Sequence, residues 1–219
     1  MTLAEIVGQA DLGSIVPRLI DAAAERRAWC ENWQSLKGRL MISARPLTGE
    51  EPIYCDRWIA GSVLAVLSAG LDSHSALLPL ATAQRLGVPP ETLWRAAEAN
   101  VTRWFYRRNW SLQGNDDPAH DDNVVLAMTD DESRSSGIVA VPALIEALAR
   151  ETGIAAPAFA VPIDGIFIFG RDNPTARRAI AARAGTVLRM TPPEIGVPAV
   201  SNEVFRLDNG RVVSAAIIH

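Results

Sequence analysis

Apolar residues recur along this chain with two different periods, and the switches between them mark out its elements. Ile15, Leu19, Ala22, Ala23, Trp29, Trp33 and Leu36 fall at helical spacing with charges between them, which predicts a helix over residues 14–37. Ser14 and Pro17 suit its start, and Gly38 its stop. Residues 40–46 read as a strand ending at a turn through Thr48, Gly49 and Glu50, and residues 53–57 as a short second strand. Residues 61–68 are apolar and β-branched enough for a buried strand. A turn at 69–73 then returns residues 74–80 beside it as a hairpin.

Helical spacing resumes at residue 80. A short helix over 80–87 is closed by Gly87. The clearest helix follows, opened by Pro89 and Pro90 and striped by Leu93, Ala96, Ala97 and Val101. Asn100 near its end reads as a holder of buried backbone groups. Residues 111–122 are rich in Gly, Asn, Asp and Pro and read as a loop, and residues 124–128 as a strand. Helical pattern covers residues 131–152, with Pro142 splitting it near Val141 and Gly153 ending it. Strands at 159–162 and 165–170 are joined at Ile163 and Asp164. Asn173 then caps a helix with Pro174 in its first turn. Residues 203–207 and 211–217 close the chain as a hairpin around Asp208, Asn209 and Gly210.

Local hairpins and irregular alternation of helix and strand predict an α+β fold. The expected architecture is a mixed or antiparallel sheet with helices packed on it and a terminal β-hairpin, in one domain over 1–219. Hydrophobic residues at 48% and charged residues at 21% of 219 are ordinary globular usage, which argues against disorder. A formal net charge of −4 lacks the basic excess that phosphate-backbone binding needs, so nucleic acid is not an expected partner. The first sixteen residues carry acids where a secretion signal would carry basic residues, and no apolar run approaches a membrane span. A cytoplasmic protein with no membrane partner is the expectation. Cys30 and Cys55 match no metal spacing and read as reduced core residues.

No phosphate loop, dinucleotide fingerprint or nucleophile elbow is present, and no cofactor is predicted. The unusual stretch is 103–132. It opens with Arg103, Trp104, Phe105, Tyr106, Arg107, Arg108, Asn109 and Trp110, and continues through Asp116, Asp117, His120, Asp121 and Asp122 to Asp130, Asp131 and Glu132. Acid-rich turns with Asn, Gly and Pro read first as solvated loops. The chemical alternative is a hard-cation site, because crowded carboxylates repel and recruit a cation, with His120 as ligand or proton carrier. The Arg and aromatic segment likewise has two readings. In one, aromatics face the core while arginines face water. In the other it is an interface hot spot built on Arg103, Trp104, Tyr106, Arg107, Arg108 and Trp110, with Asp131 and Glu132 beside it.

The order of elements is also familiar. The run PLATAQRLGVPPETLWRAAEANV, then DDESRSSGIVAVPALIEALARETG, then AFAVPIDGIFIFGRDNPTARRAIAARAG and the terminal EVFRLDNGRVVSA resemble the YtpQ-like family of bacterial proteins, a domain of unknown function, over residues 39–217. The resemblance implies an α+β cytosolic domain and assigns no catalytic residue. The Trp-rich helix before it and the Arg/aromatic and acidic stretch depart from the family pattern.

These features together predict a non-enzymatic binding or accessory protein acting through a protein partner or as a homo-oligomer. A neutralising, immunity-type role fits the acidic charge, which speeds association with a basic partner. The competing expectation is a metal-assisted hydrolase or phosphoryl-handling enzyme built on the acids of 116–132.

Overall fold

A computed structural model of the chain describes residues 32–47, 54–71, 74–107, 110–114, 125–129, 135–191 and 199–218. Of the predicted N-terminal helix only a short α1, Trp33–Leu36, falls within them, capped by the Asn32 side chain, which accepts from the Gln34 N–H at 2.8 Å. Four strands follow: β1 Leu40–Pro46, β2 Asp56–Ala60, β3 Val63–Leu71 and β4 His74–Leu77. β3 is the centre of their sheet. β1 pairs antiparallel along one edge of it, from Leu40 opposite Ala69 to Pro46 opposite Val63. The other edge is shared, with β2 on Val63–Val66 and β4 on Ser68–Leu71. Leu67 stitches the two together, its N–H donating to the Cys55 carbonyl at 2.9 Å and its carbonyl accepting from Leu78 at 2.8 Å. β2 thus lies three residues beyond the stretch that pattern predicts, because pairing with β3 fixes its bounds more strongly than residue type does.

Helices α2, Leu80–Arg85, and α3, Pro90–Tyr106, connect to a second sheet. Its strands are β5 Ser111–Gln113, β6 Val125–Thr129, β7 Pro157–Ile163, β8 Ile166–Arg171, β9 Glu203–Asp208 and β10 Arg211–Ile217. The order is β10-β9-β7-β8-β6-β5, antiparallel throughout. A 3₁₀ segment, Ser135–Ala140, runs into α4, Pro142–Glu151, and α5, Pro174–Met190, follows β8. The fold is α+β, as predicted, with two antiparallel sheets where pattern alone suggested one. Pro142 divides the second helical region as expected, since it starts α4 and leaves the preceding residues in the tighter 3₁₀ form. Asn173 caps α5 by accepting from Thr175 and Ala176. Asn209 and Gly210 turn the terminal hairpin with φ of 50° and 73°, the positive values a tight two-residue hairpin requires. Among the described residues no helix is long and apolar enough to cross a membrane.

One predicted loop begins instead as a strand. Ser111–Gln113 pairs with β6 at the edge of the large sheet, and all three residues are exposed. An edge strand with neither face buried carries no alternation to read.

The two faces of the large sheet differ in side-chain size. Phe159, Val161, Phe167, Phe169, Phe205, Leu126 and Met128 point into the main core, shared with the small sheet, α3, the 3₁₀ segment and α4. Their sequence neighbours Ala158, Ala160, Ile168, Val204 and Ala127 point the other way, against Ile180 and Ala184 of α5. The period of two in a strand sends neighbours to opposite faces, and the small residues let α5 sit close.

Asn100 has the role its position suggested. Its amide donates at 2.8 Å to the carbonyls of both Lys37 and Leu40, tying α3 to the entrance of β1, and its oxygen accepts from Arg103. Asn100→Ala takes a donor from the buried Leu40 carbonyl and the partly buried Lys37 carbonyl and is expected to cost about 2 kcal/mol, read as a shift in urea midpoint. A cost below about 0.5 kcal/mol would mean that water replaces the amide.

Candidate functional site

The predicted Arg/aromatic surface is dissected by the helix that carries it. α3 continues through Tyr106, so helical spacing carries the buried stripe Leu93, Ala97, Val101 on to Trp104, 3% exposed, with Phe105 buried beside it. Trp104 is therefore core and offers nothing to a partner, a correction to its reading as an interface residue. Trp110 is half-buried, stacks on Phe105 with ring centroids 5.4 Å apart, and donates its indole N–H to the Phe105 carbonyl at 2.9 Å. Arg103, Tyr106 and Arg107 are left at the surface, Tyr106 at 60% exposure. Arg108, Asp116, Asp117, His120, Asp121, Asp122, Asp130, Asp131 and Glu132 lie outside the described residues. Among the described residues no three His, Cys, Asp or Glu side chains are grouped so as to hold a metal ion.

The site that the fold does assemble lies elsewhere. A cleft of about 490 Å³ opens where β2 at one end of the small sheet meets the start of β10 at one end of the large sheet. Trp94 and Glu98 from α3, Val139 and Ala140 from the 3₁₀ segment, and Pro142 of α4 complete its wall. Trp58 on β2 is 66% exposed, unusual for the largest apolar side chain. Its indole N–H donates to the Gly61 carbonyl at 3.1 Å, which fixes the ring while leaving its surface open. Arg57 lies over the Trp94 ring at 4.4 Å from the centroid, donates to Glu91 at 2.8 Å, and comes within 3.7 Å of Glu98. A cation held on an aromatic face and tied by a carboxylate keeps one geometry.

Two buried polar links hold the walls. On one side, Ser136 accepts from the Ala44 N–H at 3.1 Å and donates to Asp164, which also pairs with Arg45. A Cβ on Gly137 would overlap the Ile42 carbonyl oxygen, so only glycine lets the 3₁₀ segment lie this close to β1. On the other side stands Glu203, 8% exposed. Its carboxylate accepts from the Ser62 N–H at 2.6 Å in the β2–β3 turn and from the Ser214 hydroxyl on β10. Burial pushes the Glu203 carboxyl up, but the bonds from Ser214 and Ser62 outweigh it and hold the group below its ordinary value. The Glu203 side chain thus bridges the same two sheets that flank the cleft.

Trp94 also borders a smaller pocket, of about 260 Å³, with Tyr54, Cys55, Leu80 and Leu93. Burial, and then the charge of Asp56, raise the Cys55 thiol, so it behaves as a small apolar residue. Cys30 is outside the described residues.

Among the described residues, the ionisable groups lining the larger cleft are Arg57, Glu98 and Arg211. They supply charge and hydrogen bonds, and no nucleophile is paired with a base among them. Pattern reading missed this site because its parts come from four distant segments. The only local signal was an Arg-Trp pair beside a Gly-Ser turn. The chain matches no family model, no curated protein and no solved structure.

Proposed function

We propose that this protein is a non-enzymatic binding or accessory protein that acts through a protein partner, and that the Trp58–Trp94 cleft is where the partner is held. The observation that carries this reading is Trp58, fixed by its bond to Gly61 yet two-thirds exposed at 66% beside a mostly apolar hollow. Tryptophan and arginine in such a setting are the residue types that dominate interface energies. A hollow of this size takes one or two side chains of a partner segment. The neutralising form of the role rests on the net charge of −4 alone. The relationship to YtpQ-like domains and a cytoplasmic location belong to the same proposal.

The test is a selection of random displayed peptides on the whole protein, followed by affinity measurements on Trp58→Ala. Removing an exposed side chain should leave the melting temperature within about 2 °C of the parent, while selected peptides should lose at least tenfold in affinity. Selection of no peptide, or of peptides indifferent to Trp58, would refute the assignment of the cleft. Self-association abolished by Trp58→Ala would instead identify a second copy of this chain as the partner.

A further inference from the structure

We infer that the segment held in this cleft presents a bulky apolar or aromatic side chain followed closely by a carboxylate. The inference rests on the reading of the cleft as a partner site and adds the chemistry of what enters it. The apolar requirement comes from Trp58, Ile59, Val139, Pro142, Val212 and Val213, which surround the hollow. The acidic requirement comes from the two arginines on its walls. Among the described residues Arg57 and Arg211 line it with Glu98, and Glu91 is bonded to Arg57 at 2.8 Å.

Arg57 is prepared for a carboxylate. A guanidinium carries five N–H donors. Its hydrogen bond to Glu91 occupies one of them, and the approach of Glu98 at 3.7 Å is an ion pair beyond hydrogen-bond range. Its Cζ lies over the Trp94 ring at 4.4 Å, so little side-chain freedom remains to be lost when a ligand adds a further bond. Arg211 is exposed at the first position of β10, just beyond the Asn209-Gly210 turn. Pro142 adds the start of α4, whose first turn contains no acidic residue, so the helix dipole reinforces the two arginines. Glu91 and Glu98 balance Arg57, so the positive charge left over at this wall is that of Arg211, and it draws an acidic group there.

Three blocked tetrapeptides test this on the full chain. They share a phenylalanine, followed in one by aspartate, in the second by asparagine and in the third by lysine. Binding is read from the indole N–H signals of Trp58 and Trp94 in two-dimensional NMR spectra. The aspartate peptide should bind at least fivefold more tightly than the asparagine peptide, with lysine weakest. That preference should shrink severalfold in Arg211→Gln, an exposed change that leaves folding intact, and with added salt. Arg57→Gln should remove most of what remains, and an unchanged wild-type-like spectrum elsewhere shows that this variant is folded. Equal binding of aspartate and asparagine, or a preference for lysine, overturns the carboxylate requirement while leaving the cleft a binding site. Silence of both indole signals with all three peptides at millimolar concentration refutes the cleft reading itself, and this inference with it.

Discussion

Phe159→Ala is expected to lower stability by about 3–5 kcal/mol, the usual range for an aromatic truncated in a closed core. Phe159 is fully buried on β7, near the middle of the large sheet. Its ring stacks on Phe167 at 5.2 Å and lies 5.8 Å from Phe205, so it joins the two strands that flank its own. Removing it takes away apolar burial and leaves a hole beside the rings of Phe167 and Phe205 on the flanking strands. For a chain of this size each kcal/mol shifts the melting temperature by about 2–4 °C, so a fall on the order of 10 °C is expected by calorimetry. Met190→Ala, at an exposed helix end, serves as the control and should change stability by no more than about 0.5 kcal/mol. A Phe159→Ala cost below about 1 kcal/mol would show that the inner face of the large sheet is not closely packed.

The elements visible in the sequence were those whose signal is local. β1, the Pro-started α3, the break at Pro142, the Asn173 cap and the Asn209-Gly210 turn each depend on residues adjacent in the chain. So did the α+β class, because hairpins announce themselves through short turns. What pattern did not show were properties of pairing between distant segments. The division into two sheets is decided by which strand ends meet, and β5 exists only because β6 offers it an edge. The burial of Trp104 and Phe105 follows one of the two readings of residues 103–110, aromatics to the core and arginines to water, and continuing the helical stripe from Leu93 through Val101 to Trp104 decides between them. The cleft was illegible for a stronger reason: Trp58, Trp94, Val139 and Val212 come from four distant parts of the chain, and nothing near any one of them signals the others.

Glu203→Gln is expected to cost roughly 2–4 kcal/mol at neutral pH, since it removes charge-assisted bonds and turns an amide N–H toward one of the donors. The carboxylate receives the Ser62 N–H and the Ser214 hydroxyl from opposite sheets, and the amide oxygen can serve one of them fully. The pH dependence follows from the direction of the shift. The folded Glu203 carboxyl lies below its ordinary 4.5, so the unfolded chain takes up the proton first as pH falls. Its stabilisation is complete above 4.5, declines below it, and is gone once pH passes the lower folded value. Glutamine does not titrate. Urea unfolding of both proteins from pH 7 to pH 3 should therefore show a constant gap down to about 5, then a narrowing one. A gap that widened on acidification would mean that burial, not the serine bonds, governs this carboxyl. Because the link spans the β2–β3 turn and β10, its loss should also speed amide exchange at Ser62 beyond the global change. The Trp58 indole, bonded to the neighbouring Gly61 carbonyl, should lose order with it. Glu203→Gln would then weaken peptide binding in the cleft without altering any residue that lines it.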